Sequence, residues 1–238
     1  MGDRTPIWAE IARALRREIA EGGYAPGDRL PTEAQLSARF GVNRHTVRHA
    51  LSALVEEGLV LTRRGSGAFV AARPADYPIG RRTRFTENLL AAGQRPGRES
   101  LGQETRAATG AEAGWLGIAP GEPLLVSRGR SLGDGRPLAL SESLFPVARL
   151  PGIAEALAGG QGVTLALRAA GVADYTRAWT RITAVPASAT RALLLELPEG
   201  APLLCTTALN LGPDGQPVEH GRTWWAGERI TLTLGGED

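Results

Sequence analysis

A few spacings of arginine, glutamate and glycine carry whatever chemistry this chain performs. Arg44, His45 and Arg48 lie within five residues of one another. A helix through them would set them near its start, away from a stripe of Val47, Ala50, Leu51 and Leu54. Guanidinium groups at the leading end of a helix can enter the major groove and bond bidentately to guanine edges or phosphates. Beyond them, Arg63-Arg64-Gly65-Ser66-Gly67 joins two arginines to backbone amides that no side chain shields, which suits a phosphate strand or a minor groove. A second chemistry comes from Arg81, Arg82 and Arg84 ahead of Phe85-Thr86-Glu87, and from Arg128 and Arg130 with Glu142 and Glu219. Residues 128 and 130 share one face of a strand. Such arginines can hold a small phosphorylated or phosphonate anion, and the glutamates its amines or hydroxyls. The same residues also suit a cross-strand ladder of salt bridges on a solvated face.

The elements that would position these groups are legible in the periodicity. Ile7, Ile11, Leu15 and Ile19 predict one amphipathic helix, stopped by Gly22-Gly23. Thr32-Glu33-Ala34-Gln35 predicts a capping box opening a second, short helix that ends at Gly41. Asn43 can cap a third, running to about Glu57 before Gly58. Two helices joined by so tight a turn make a helix-turn-helix. The β-prone runs flanking Arg64-Gly65-Ser66 read as a hairpin, so the segment 1–73 is predicted to be a winged helix-turn-helix DNA-binding domain. Pro74, Pro78 and Gly80 mark 74–84 as a linker. Thr86 can then cap a helix to Ala92, whose start beside three arginines would make an anion site.

From 85 to 238, β-type runs dominate: 124–132, 137–145, 175–185, 203–211, 218–225 and 230–234. Asp134-Gly135 and Asp214-Gly215 punctuate two hairpins, and short helices fall near 111–116, 153–157, 164–169 and 188–195. This pattern predicts an antiparallel α+β domain, and an α+β fold class for the whole chain.

Composition narrows the classes. All 27 basic residues are arginine, against 25 acids. The excess is mild and sits before residue 74, where 11 arginines face 8 acids. One cysteine and three histidines leave little material for a disulfide framework or a zinc site, so neither metal nor cofactor is expected. No apolar run is long enough to span a bilayer, and the first residues lack a secretory pattern. A cytoplasmic protein without membrane contact is expected.

From Pro26 to Val70, the strings Gly27-Asp28-Arg29-Leu30-Pro31-Thr32-Glu33, Phe40-Gly41-Val42-Asn43-Arg44 and Gly65-Ser66-Gly67-Ala68-Phe69-Val70 resemble the GntR family of regulators. The resemblance implies operator contacts from Asn43, Arg44, His45, Thr46 and Arg48, with Arg64 and Gly65 on the wing. Residues 85–234 resemble the sensing domain of the histidine-utilisation-repressor subfamily, through Arg84-Phe85-Thr86-Glu87-Asn88-Leu89, Ser127-Arg128-Gly129-Arg130 and Pro217-Val218-Glu219. That likeness implies a chorismate-lyase-like fold and an effector pocket at Arg84, Phe85, Thr86, Glu87, Arg128, Arg130, Glu142 and Glu219. Ala75-Asp76-Tyr77-Pro78 is similar to the phosphonate-utilisation branch, which implies a phosphonate or phosphate-like effector; an amino-sugar phosphate or a urocanate-like metabolite is the alternative. A selective single winged helix reads too few bases, so a homodimer on an inverted-repeat double-stranded operator is expected. A lyase-like domain also raises an enzyme reading. The fused winged helix and the lack of a Ser/His/Asp set or phosphate-cradling loop weigh against it, and no catalytic residue is assigned.

Overall fold

The structure is a computed structural model that describes residues 6–63, 65–71, 74–160 and 162–234. The chain forms two compact units, 1–73 and 74–238.

In the first unit, α1 (Ile7–Ala20), α2 (Glu33–Phe40) and α3 (Arg44–Glu56) close around Leu15, Leu36, Val47 and Leu54, all wholly buried. Thr32 and Gln35 form the capping box that starts α2. Gly41 ends α2 with φ +64°, a left-handed conformation that glycine adopts without strain. Asn43 then caps α3, accepting a hydrogen bond from the Thr46 amide at 2.9 Å. Only the three residues Gly41, Val42 and Asn43 separate the two helices. Strands β1 (Val60–Arg63) and β2 (Gly67–Val70) pair antiparallel as the wing.

The second unit is built on a six-stranded antiparallel sheet. Its strands are β4 (Pro96–Ala107), β5 (Pro123–Gly133), β6 (Arg136–Pro146), β7 (Thr176–Pro186), β8 (Pro202–Leu211) and β9 (Pro217–Ala226), in the order β4-β5-β6-β9-β8-β7. Asp134-Gly135 and Asp214-Gly215 stand at the β5–β6 and β8–β9 hairpins. One face, here the front, carries two apolar clusters. In the first, Leu125, Phe145 and Val218 meet α6 (Ile153–Ala158) and α7 (Val163–Ala169). In the second, Ala139 and Trp225 meet Leu89 of α4 (Phe85–Ala91) and a parallel ribbon of β3 (Ala75–Ile79) with β10 (Ile230–Leu234). The back packs Leu124, Val126 and Leu144 on α5 (Gly110–Leu116), and Leu140 and Leu203 on α8 (Ala189–Leu195).

Two expectations change here. The segment 74–84, read as a linker, contributes β3 to the second unit, where Ala75 and Tyr77 are buried. Pro78 hid it, yet a proline is tolerated in a two-stranded ribbon whose other edge is open. The helix after it starts two residues earlier than a cap at Thr86 would set it: Arg84 is its N-cap, and its side chain makes no capping bond. Strand β4 had no apolar alternation to reveal it, because it is an edge strand with mostly exposed side chains.

Two measurements test these elements. Leu54→Ala leaves a cavity in the helix-turn-helix core, and denaturant unfolding of the first unit should show a loss of about 2–5 kcal/mol. The second concerns Glu112, which closes a capping box with Thr109 at the start of α5. Hydrogen bonds from Arg106, foremost, and from Thr109 hold its carboxyl down to about 2 from an ordinary 4.5. The folded value lies below the unfolded one, so this stabilisation is full above 4.5 and fades as pH falls towards 2. Glu112→Gln should therefore flatten the acid limb of the stability profile over that window. An acid limb as steep as that of the unaltered protein would refute the pairing.

Candidate nucleic-acid interface and ligand cavity

Along α3, Val47, Ala50, Leu51 and Leu54 face the core, so Arg44, His45 and Arg48 are left exposed. Among the described residues, the side chains of Arg44 and His45 make no hydrogen bond or ion pair, though the Arg44 charge helps to lower the Glu33 carboxyl. Arg48 is held differently. Its guanidinium donates to both oxygens of Glu33 on α2, at 3.1 and 2.9 Å, and that pairing keeps the Glu33 carboxyl below the usual carboxylate range. Thr46 and Asn43 serve the cap: the Asn43 Oδ1 takes the Thr46 amide and hydroxyl at 2.9 and 3.0 Å. Trp8 of α1 stacks on His49 with ring centroids 4.3 Å apart, pinning the first helix against the third. On the wing, Gly65 is exposed with φ +76°. Arg64 lies outside the described residues.

The second unit contains a cavity of about 450 Å³ on the front of the sheet, of the size small-molecule sites have. It exists because the central residues facing it are short. Gly129 pairs with Ser141, Ser141 with Thr223, and Thr223 with Thr206 across four strands. The next row is Ser127, Ser143, Gly221 and Ala208. Walls come from Tyr77 on β3, the start of α4 with Phe85, Thr86 and Glu87, and α7 with Val163, Thr164 and Leu165. Tyr77 and Phe85 lean on Trp225, with ring centroids 4.5 and 6.4 Å from it.

Charge is concentrated there. Among the described lining residues four are arginines (Arg84, Arg98, Arg168, Arg177) and two are glutamates (Glu87, Glu219). Arg84 is 7% exposed and lies over the Tyr175 ring at 4.0 Å. One of its nitrogens, Nη2, donates to Asp174 at 2.6 Å and to the Tyr175 carbonyl at 3.2 Å. The other, Nη1, is buried and has no partner among the described residues. Glu219 is equally buried and accepts from Ser143 and from Asn210, each at 2.6 Å; Asn210 in turn accepts from Arg177 at 3.1 Å. Tyr175 shares a 2.9 Å hydrogen bond with Thr164, and burial pushes its hydroxyl up from the ordinary tyrosine value.

The structure thus gathers Arg84, Phe85, Thr86, Glu87 and Glu219 at one cavity. It places Arg128, Arg130 and Glu142 elsewhere, which corrects the expected pocket. On β5 it is Ser127, Gly129 and Ser131 that share the cavity face, so Arg128 and Arg130 emerge on the back. There Arg128 bonds Glu142 at 2.8 Å and Glu104 at 3.0 Å, and Arg130 bonds Glu99 at 2.5 Å and the Leu194 carbonyl at 3.0 Å. These residues form the cross-strand ladder. The cavity residues that spacing did not reveal are Arg98, Arg177, Asn210, Ser143 and Tyr77. Glu219 held the missing signal for one of them, since strand pairing sets Asn210 directly beside it. Arg98 lay on the strand without a pattern.

Relatives agree with both halves of this picture. Residues 8–70 match the bacterial regulatory proteins of the gntR family, and residues 91–231 match the UTRA domain. An HTH-type transcriptional regulator of Rhizobium meliloti is 42% identical over 96% of this chain and 94% of its own length. The transcriptional regulator PhnF of Escherichia coli is 38% identical over 95% and 94%. The crystal structure of PhnF from Mycobacterium smegmatis superposes with a TM-score of 0.68 at 28% identity, covering 98% of this chain and 99% of that one. Among the described residues no helix is long and apolar enough to cross a membrane. The relatives are regulators rather than enzymes. This chain belongs to the GntR family of transcriptional regulators, with a helix-turn-helix domain followed by a UTRA domain.

Proposed function

We propose that the protein is a repressor whose operator affinity is controlled by a small anion bound in the cavity of its second unit. The guanidinium of Arg84 at the cavity wall, 7% exposed and with Nη1 unpaired among the described residues, carries this reading, because a desolvated cation is costly and a nearby oxyanion offsets that cost. The excess of arginine over glutamate around it points the same way. A phosphonate or phosphate-like ligand suits such a lining. The serine and threonine floor also accommodates the hydroxyls of a sugar phosphate, the second reading. A relative from Mycolicibacterium smegmatis is described as a transcriptional repressor, which favours that sign of regulation here.

On DNA, a homodimer would place α3 and the wing of each copy on the two halves of an inverted repeat. Arg44 and Arg48 would read bases or phosphates, with His45, Thr46, Asn43, Arg64 and Gly65 completing the contact. Asn43 keeps only its amide nitrogen for this, since its oxygen caps α3.

Three results are expected. Sedimentation with a palindromic operator should give two chains per duplex; a lone chain on one half-site rejects the dimer. Arg44→Ala should weaken operator binding by about 1–3 kcal/mol per half-site and relax base preference, measured by fluorescence anisotropy at matched salt. Calorimetry across phosphonates, phosphate, amino-sugar phosphates and urocanate should find a ligand whose affinity drops about 5–150-fold when operator is bound. Equal affinity with and without operator would end the proposal of ligand control.

A further inference from the structure

Gly129 occupies the middle of β5, where its backbone has no left-handed φ to explain it and a glycine weakens the strand. What it supplies is space. A Cβ at this position would stand 3.1 Å from Nη2 of Arg98 and 3.3 Å from its Cζ. Arg98 comes from the neighbouring edge strand, paired with Ser131, and its guanidinium lies over Gly129 at the cavity. Among the described residues Arg98 has no ion pair or hydrogen bond, although it is half-buried. The two arginines of β5 itself are paired with carboxylates on the opposite face. Arg177 and Arg168 also spend donors on protein acceptors, Asn210 and the Ala173 carbonyl. Burial pushes the Arg98 guanidinium down, and the nearby Glu219 only partly opposes this.

A planar fork without a bonded partner among the described residues, lying over a floor of short side chains, is matched by a tetrahedral or planar oxyanion that can take two parallel N–H bonds. We infer that Arg98 is the receptor for the ligand's anionic group and that Gly129, by lacking a side chain, is the residue that determines whether this cavity selects an anion. The inference rests on the reading of the cavity as the ligand site, and it replaces the β5 arginines in that role with one from β4.

The test uses the full chain, titrated to tens of millimolar with methylphosphonate, inorganic phosphate or acetate at matched ionic strength, with the melting temperature as readout. Binding to the folded state alone raises that temperature. Phosphonate or phosphate should stabilise the unaltered protein; a response to acetate alone would identify the group as a carboxylate. Arg98→Gln should lower the apparent affinity at least about tenfold, equivalent to about 1.4 kcal/mol. Gly129→Ala should produce a similar loss with the arginine still present, while Arg128→Gln should respond like the unaltered protein. If none of the three anions stabilises the unaltered protein, or if Arg98→Gln responds undiminished, the receptor assignment is overturned. Loss in Arg128→Gln with retention in Arg98→Gln would overturn it while leaving an anion sensor standing. Loss in Arg98→Gln with operator affinity indifferent to saturating phosphonate would keep the receptor and remove the regulatory reading.

Discussion

Strand alternation is the constraint from which the second unit follows. Successive side chains on β5 point to opposite faces, so Ser127, Gly129 and Ser131 necessarily share one side, and Arg128 and Arg130 the other. The pairing of β5 with β6 then brings Glu142 beside Arg128 and Ser143 beside Ser127. One register pairs Arg128 and Arg130 with carboxylates on the back and clears a polar floor on the front. A slip of β5 by one residue would turn Arg128 and Arg130 towards the front and separate them from their carboxylates, so the register is strongly fixed.

The helix-turn-helix depends on a different constraint, the unmade hydrogen bonds at helix ends. Thr32, Gln35 and Asn43 satisfy them from within the motif, which lets the turn between α2 and α3 shrink to three residues. Glu33 then reaches across that turn to Arg48. The pairing orients the guanidinium, so part of its rotamer entropy is already lost in the free protein.

Local chemistry made most of the fold legible. Caps, glycine stops and the two Asp-Gly hairpins act over a few residues, and the helices and strands they bound fall close to expectation. Strand β3 escaped because two buried side chains are too few for a pattern, and β4 because none of its side chains is fully buried. The site was harder. Arg128 and Arg130 drew attention by spacing, but spacing shows only that two residues share a face, and which face is decided by partners far along the chain. Glu219 was found, while Arg98 was not, since its environment depends on an absent side chain at residue 129.

The floor of the cavity also separates two burdens that most proteins combine. Apolar packing on this sheet lies at the clusters under α4 to α8 and the β3–β10 ribbon, whereas the half-buried Ser141 and Thr223 lie between those clusters. Exchanging one short polar residue for another there leaves every cluster intact. Selectivity can consequently drift by single substitutions at little thermodynamic risk, and the same scaffold can be retuned to a new metabolite without first acquiring compensating mutations.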